Sequence, residues 1–176
     1  MLKPIAAKKP DKTKEPSGRF AIVASKYNGQ YVDAMLHAAK RELARANVQS
    51  VRVVRVPGAF EIPVVAATLA STQVRRPSAI ICLGVIFRGE TTHAEHIGAA
   101  VSLALAQLQT EHRIPVVHGV YLFENEAQAK VRCLGKSHNR GIEVARTAME
   151  MARVMELLGV KEDCGKPVNN RHDRAS

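Results

Sequence analysis

The stretch from Gly84 to His93 combines residue types suited to chemistry on an anionic substrate. An apolar run, Ala79 to Val85, leads into the polar turn Arg88-Gly-Glu-Thr-Thr-His93, and a helical pattern begins immediately afterwards. A strand that ends at such a turn directs the free backbone N–H groups of the next helix and an imidazole toward one point. These groups suit binding of an anion and proton transfer near neutral pH. The turn therefore predicts an active site.

Two functions can be assigned within this turn. Gly89-Glu90-Thr91 opens the helix, where free N–H groups and the helix dipole can hold a phosphate. The Glu90 carboxylate would repel an anion, so the backbone N–H groups and the threonine hydroxyls must bind the phosphate. His93 lies in the first helical turn, where the dipole favours a neutral imidazole that can accept and return protons. An ordinary capping turn explains the same local pattern, and no nucleotide-phosphate motif is present.

The elements that must position this turn alternate along the chain. Strands are predicted at Arg19–Ser25, Val51–Val56, Ala79–Val85 and Pro115–Tyr121. Helices are predicted from about Val32 to Asn47, Pro63 to Ser71, Thr92 to Glu111, Asn125 to Arg132 and Asn139 to Leu158. Strands that alternate with helices imply right-handed βαβ units. We therefore expect an α/β fold with three layers, α/β/α, around a four-stranded parallel sheet.

Ligands of such sheets bind beyond the carboxyl ends of the strands. Tyr27 and Phe60 follow the first two strands, and either ring can stack on a flat heterocycle. Their neighbours Asn28 and Glu61 can hydrogen-bond hydroxyls or ring N–H groups. Arg132, after the last strand, can supply a cation for a phosphate. The alternative for Phe60 is a place in the core beneath the next helix.

Size and composition fit one globular domain. The chain has 176 residues, 46% of them hydrophobic, which suffices for one core. Residues 1–17 are rich in Lys and Pro and predict a flexible basic arm, ahead of a catalytic domain at 18–159 and a polar tail at 160–176. No apolar run approaches the roughly 20 residues that span a bilayer, and no hydrophobic signal region is recognisable. We expect a cytoplasmic protein with no membrane association.

The net charge of +10 raises the question of nucleic-acid binding. The basic residues are spread along the chain, and only 4% of residues are aromatic. Because single-stranded nucleic acids bind through stacking aromatics, we expect a solvated basic surface and no nucleic-acid partner. A positive field favours phosphorylated small molecules instead.

The cysteines and histidines do not indicate a metal site. Cys82, Cys133 and Cys164 form no C-x-x-C pair, so we expect reduced thiols. His93-Ala94-Glu95 matches the H-x-E half of a zinc deaminase signature, but the P-C-x-x-C half is absent from the sequence. We expect no metal and no cofactor.

Several of these motifs together resemble the 6,7-dimethyl-8-ribityllumazine synthase family of riboflavin biosynthesis. The resemblance covers roughly residues 18–158. It rests on Tyr27-Asn28, Val56–Pro63 (VPGAFEIP), Gly84–His93, Gly119-Val120 and Arg132–Gly141. It implies a flavodoxin-like fold and a metal-free condensation. In that reaction an amine of 5-amino-6-(D-ribitylamino)uracil attacks the ketone of 3,4-dihydroxy-2-butanone 4-phosphate, phosphate and water leave, and a pyrazine ring closes.

The resemblance also implies functions for individual residues. Tyr27 looks like the residue that stacks on the pyrimidine. The other residues of the ribityl-bearing substrate's site would be Asn28, Ala59, Phe60, Glu61, Val85, Ile86 and Phe87. Glu90, Thr91 and Arg132 would take the phosphate, and His93 would transfer protons. Much of the rate would come from holding two substrates in attack geometry.

The chain departs from the family pattern at two positions. The family usually offers an aromatic side chain, from a neighbouring subunit, at the position of His118, where an imidazole stacks more weakly. Arg140 stands where Lys is common, and Lys136 keeps positive charge nearby. The family forms pentamers, and in many bacteria shells of sixty subunits, so a homo-oligomer is expected. A non-catalytic lumazine or flavin carrier, or a shell-forming protein on the same fold, is the alternative.

Overall fold

The computed structural model describes residues 18–135 and 138–159. The basic arm predicted at 1–17 and the polar tail predicted at 160–176 lie outside the described residues. Lys136 and Cys164 also lie outside them. Within the described residues, no helix is long and apolar enough to cross a membrane.

All four predicted strands are present, and they form one parallel sheet. The strands are β1 (Arg19–Ser25), β2 (Ser50–Val56), β3 (Ala79–Phe87) and β4 (Val116–Phe123). They lie in the order β2-β1-β3-β4. The last two strands continue past the predicted ends, because Val85 to Phe87 stay paired with Tyr121 to Phe123. Their carboxyl ends therefore reach further toward the polar turn than the apolar runs indicated.

The helices also follow the prediction, with one exception. They are α1 (Gly29–Arg45), α2 (Ile62–Ser71), α3 (His93–His112), α4 (Glu126–Ala129) and α5 (Arg140–Leu157). The exception is the short helix predicted from Asn125 to Arg132, which is α-helical only over Glu126–Ala129 and continues as a π-helical turn (Lys130–Leu134). A single wider turn is a local departure that residue periodicity cannot specify over so short a segment.

The core consists of two apolar layers, one on each face of the sheet. Alternate strand residues point to opposite faces, as the pleat requires. One layer joins the sheet to α1 and α5; its members include Phe20, Ile22, Ile81, Leu83, Val32, Met35, Val144 and Ala148. The other joins it to α2 and α3; its members include Val23, Ile80, Cys82, Ile62, Ala66, Val101 and Leu105. The expected three-layer α/β/α fold is confirmed, and the strand order is consistent with a flavodoxin-like topology.

Helices α1 and α5 pack together at backbone contact. A Cβ atom added at Gly141 would overlap the main chain of Met35. Only glycine permits this approach, because any side chain there would push α5 away from α1. Gly141 thus determines how closely the start of α5 lies to the sheet.

The strand order leaves a crevice for a ligand. The chain leaves β1 toward β2 on one side and later enters β3 on the other side of β1. The two connecting helices, α1 and α2, lie on opposite faces of the sheet. In open α/β sheets this reversal point, at the carboxyl ends of the two central strands, is where ligands bind. Here it lies between Ser25 and Phe87.

Candidate active site at the β1 and β3 carboxyl ends

Asn28 links the ends of the two central strands. Its backbone is left-handed, with φ of 54°, a conformation that asparagine tolerates better than most residues. Its carbonyl oxygen accepts hydrogen bonds from Tyr31 and Val32, which start α1. Its side-chain amide donates a 2.7 Å hydrogen bond to the carbonyl oxygen of Val85. The residue that begins α1 therefore also holds β3 against β1.

Tyr27 and Phe60 present their rings at this edge. Tyr27 is 68% exposed and Phe60 is 58% exposed, so Phe60 is not the core residue that the alternative interpretation required. The Tyr27 backbone N–H donates to the carbonyl oxygen of Pro57 at 3.0 Å. A Cβ atom at Gly58 would lie 3.0 Å from Cδ2 of Tyr27, so the ring rests close to the Gly58 backbone. Both rings are accessible to a flat ligand.

The loop after β2 is held in shape by Glu61. The Gly58 N–H donates a 2.8 Å hydrogen bond to one carboxylate oxygen of Glu61. Ala59 is buried, and a Cβ atom at Gly84 would lie 3.4 Å from its methyl carbon. The loop therefore sits directly on β3, with Ala59 inward and Phe60 outward.

The end of β3 divides its side chains between the two faces. Val85 is buried in the layer beneath α1, and Ile86 packs on the opposite layer. Phe87 packs edge-on against the Tyr31 ring, with centroids 5.5 Å apart. These three residues adjoin the crevice, but their side chains do not line one common surface.

The polar turn lies beyond β3 and is exposed. Helix α3 begins at His93, with Thr92 as its N-terminal cap residue. The Thr91 hydroxyl accepts a long hydrogen bond, 3.4 Å, from the His93 backbone N–H. Glu90, Thr91 and His93 are all solvent-exposed. The predicted sequence of turn, helix start and accessible imidazole is present as expected.

Arg88 ties this turn to its surroundings. Its Nη1 donates to both carboxylate oxygens of Glu124, at 3.0 and 3.2 Å, and its Nη2 donates to Glu95. Its backbone N–H donates to the carbonyl oxygen of Phe123 at 2.9 Å. The hydrogen bond to Glu124, and the charges of Glu124 and Glu95, raise the pKa of the guanidinium. The first residue of the turn is thereby joined to β4 and to α3.

Arg132 lies on the π-helical turn after α4 and is exposed. Within residues 18–135 and 138–159 it forms no ion pair or hydrogen bond, so its guanidinium is available there for an anion. Asn139, which is 6% exposed, fixes this segment. Its side-chain oxygen accepts from the Gly141 N–H at 2.8 Å, and its amide donates to the carbonyl oxygen of Cys133. The turn carrying Arg132 is thus fastened to the start of α5.

His118 does not join this cluster within one chain. It lies in the middle of β4, an edge strand, on the side facing α3. The Ser102 hydroxyl lies 2.7 Å from the carbonyl oxygen of Gly98, to which it can donate, and 2.9 Å from the His118 Nε2, with which it shares a hydrogen bond. Burial lowers the pKa of the imidazole. Because His118 lies five residues before the end of β4 and contacts α3, it does not reach the strand ends of its own sheet.

Sequence reasoning gave no function to Arg88 or Asn139. The ion pair between Arg88 and Glu124 joins residues 36 positions apart, and no local pattern announces it. Asn139 carries a weak local signal, because asparagine before a helix is a common cap; its second bond to Cys133 is not predictable.

Arg140 packs its guanidinium 5.7 Å from the Tyr121 ring centroid and pairs with Glu143. Among the described residues, no His, Cys, Asp and Glu side chains group as metal ligands would.

The fold and the candidate site define a class: an open parallel α/β protein whose candidate small-molecule site lies at the reversal point between β1 and β3. The chain belongs to the 6,7-dimethyl-8-ribityllumazine synthase family, whose model matches residues 17–156. Proteins of that name from Stenotrophomonas maltophilia (strain R551-3) and Xanthomonas oryzae pv. oryzae (strain PXO99A) are 38% and 39% identical to it. The matches cover 81% of this chain and 92% and 93% of those relatives.

Proposed function

We propose that this protein condenses 5-amino-6-(D-ribitylamino)uracil with 3,4-dihydroxy-2-butanone 4-phosphate to 6,7-dimethyl-8-ribityllumazine, with release of phosphate and water. One observation carries the proposal. In a member of this family, exposed aromatic rings after β1 and β2 share one sheet edge with the turn and imidazole that open α3. The aromatic rings suit a flat pyrimidine, and the turn with its imidazole suits an anion and a proton transfer.

The pyrimidine-bearing substrate is assigned to the crevice between β1 and the loop after β2. The Tyr27 ring is accessible on the surface and would stack on the heterocycle. Phe60 and Ala59 would supply apolar contact, with Asn28, Val85, Ile86 and Phe87 forming the adjoining wall. Glu61 keeps one carboxylate oxygen on the Gly58 N–H, and its other oxygen can accept from a substrate hydroxyl or N–H.

The phosphate-bearing substrate is assigned to the turn before α3. The N–H groups at the start of this long helix favour an anion, and Thr91 adds a hydroxyl. Glu90 would contribute through its backbone, because its carboxylate repels a phosphate. Arg132 would supply the compensating cation from the π-helical turn after α4. Phosphate leaves from this end of the substrate, so the same groups would stabilise the departing anion.

His93 is assigned the proton transfers. Formation of the imine requires that a proton leave the attacking nitrogen and that water depart from the carbinolamine. An exposed imidazole at N1 of α3 lies beside the proposed phosphate site and can serve both steps. Much of the acceleration would arise from holding the amine next to the ketone, which replaces an encounter between two solutes.

A homo-oligomer with shared sites is part of the proposal. The apolar side chains Val64, Leu103 and Val131 are each more than half exposed, which supports burial against other subunits. His118 lies away from its own strand ends, so it would serve a neighbour's site, as the family's aromatic residue does. A pentamer or a shell of sixty subunits, the catalytic domain at 18–159 and a cytoplasmic location remain predictions. Light scattering of the purified protein separates the two assemblies by mass.

The test of the function is turnover. Purified protein is mixed with both substrates, and lumazine absorbance is followed against the uncatalysed condensation. Tyr27→Ala should raise KM for the pyrimidine about 10-fold through lost stacking, whereas Tyr27→Phe should stay near wild type. Binding of lumazine without any acceleration would contradict the enzyme and favour a carrier protein.

A further inference from the structure

Arg88 is held by two carboxylates from different elements. Its Nη1 bonds both oxygens of Glu124, beyond the end of β4, and its Nη2 bonds Glu95 in the first turn of α3. All three side chains are roughly half exposed. A single exposed ion pair contributes little stability, but a two-oxygen contact combined with a second carboxylate restricts geometry.

The charge of Arg88 is already matched locally. Two negative groups surround one guanidinium, so the trio carries a net charge of about −1 at neutral pH. A phosphate that approached Arg88 would have to displace a carboxylate that is already bonded. In contrast, Arg132 has no such partner within the described residues. Direct binding of the phosphate by Arg88 is therefore disfavoured.

The contacts of Arg88 continue toward Arg132. The Glu124 backbone N–H donates to the side-chain oxygen of Gln128 at 3.1 Å. The Gln128 backbone N–H in turn donates to the Asn125 side chain, also at 3.1 Å, which caps α4. Helix α4 runs directly into the turn that carries Arg132. An unbroken series of bonds thus joins the turn before α3 to the segment bearing the proposed phosphate cation.

We propose that Arg88 is a positioning residue that sets the geometry of the phosphate site, by clamping the Glu90-Thr91 turn to α3 through Glu95 and to the β4 end through Glu124. This inference rests on the proposed function. It assigns Arg88 no contact with substrate. Loss of the clamp would free the turn from Glu95 and from the β4 end, and the phosphate would lose the fixed positions of the Thr91 hydroxyl and of the backbone N–H groups at the start of α3.

The decisive variant is Glu124→Gln, because positioning and simple electrostatics predict opposite results. Removal of a negative charge near a phosphate site, or release of Arg88 to bind the phosphate, lowers KM for the phosphate substrate. Loss of the clamp raises that KM, which we expect to increase roughly 5- to 20-fold, with KM for the pyrimidine unchanged. The matched control is Glu150→Gln, which removes the same charge from an exposed pair with Arg153.

Two further measurements complete the test. Arg88→Gln combined with Glu124→Gln should raise KM no more than the worse single variant, because both remove one clamp. Calorimetric titration of the full chain with inorganic phosphate needs no turnover. The variants with a raised KM for the phosphate substrate should also bind inorganic phosphate more weakly than wild type. If wild type turns over but Glu124→Gln has an equal or lower KM, Arg88 is not a positioning residue. Absence of turnover in wild type contradicts the proposed function instead, and the phosphate titration then decides the inference.

Discussion

The side-chain nitrogen of Asn28 lies 2.7 Å from the carbonyl oxygen of Val85 and donates a hydrogen bond to it. A side chain, rather than the backbone ladder, therefore joins the carboxyl ends of β1 and β3. The same residue adopts the left-handed backbone conformation that turns the chain from β1 into α1. Asn28 couples the orientation of Tyr27 to the position of the strand that leads to the polar turn.

Two substitutions of Asn28 should separate the contribution of its hydrogen bond to Val85 from that of its left-handed backbone conformation. Asn28→Gly keeps the left-handed backbone and removes the donor, so we expect a loss of about 1 kcal/mol in the free energy of unfolding. Asn28→Ala should lose about 1 kcal/mol more, since alanine resists positive φ. Urea denaturation measures both. Equal stability of Asn28→Gly and wild type would mean that the bond to Val85 contributes nothing.

His93→Ala should slow turnover at saturating substrate by about 10- to 100-fold, since proton transfer is one contribution among several. His96, one turn further along α3, offers a matched control because it is also exposed. We expect His96→Ala to leave kcat near wild type. Steady-state rates with both substrates saturating measure the difference. An unchanged kcat in His93→Ala would remove the imidazole from the mechanism.

The pH dependence of stability should contain a contribution from His118. Burial lowers the pKa of this imidazole, so the folded protein resists its protonation more than the unfolded chain does. The contribution is fully present above the ordinary histidine pKa of about 6.5 and is lost as pH falls through that value toward the lowered one.

His118→Gln keeps a donor for Ser102 and cannot titrate. We expect its thermal unfolding midpoint to fall less than that of wild type between about pH 7 and pH 5. His37→Gln, on the exposed side of α1, is the control. Parallel curves for His118→Gln and wild type would contradict a lowered pKa of the His118 imidazole.

Gly141→Ala should destabilise the protein by about 2 kcal/mol or more, because the new methyl group overlaps the Met35 backbone. Gly98→Ala is a matched control within a helix: its nearest neighbour would be a Leu122 methyl group at 3.6 Å. There we expect no loss, or a gain of up to about 1 kcal/mol from better helix propensity. Chemical denaturation of both variants gives the comparison.

The fold was predictable because each buried strand of a parallel sheet is a continuous apolar run. The bounds of β1, Arg19–Ser25, follow directly from its sequence. The candidate site was predictable to the extent that strand carboxyl ends meet at one edge. The clamp at Arg88 was not, because Glu124 reaches it through tertiary structure alone. The exposure of Phe60 was also undetermined, since an aromatic residue suits either a core or a binding surface.

Two buried thiols within the described part of the chain, Cys82 and Cys133, can report local opening of the structure. Cys82 lies at the centre of β3, and Cys133 lies on the turn beside Arg132; both are completely buried. Burial raises the pKa of Cys82 and raises that of Cys133 to about 11, so neither thiol is reactive while it is covered. Alkylation of Cys82 would require the sheet to open, whereas alkylation of Cys133 requires release of one turn. The ratio of the two labelling rates would therefore report how often the turn that carries Arg132 opens independently of the sheet.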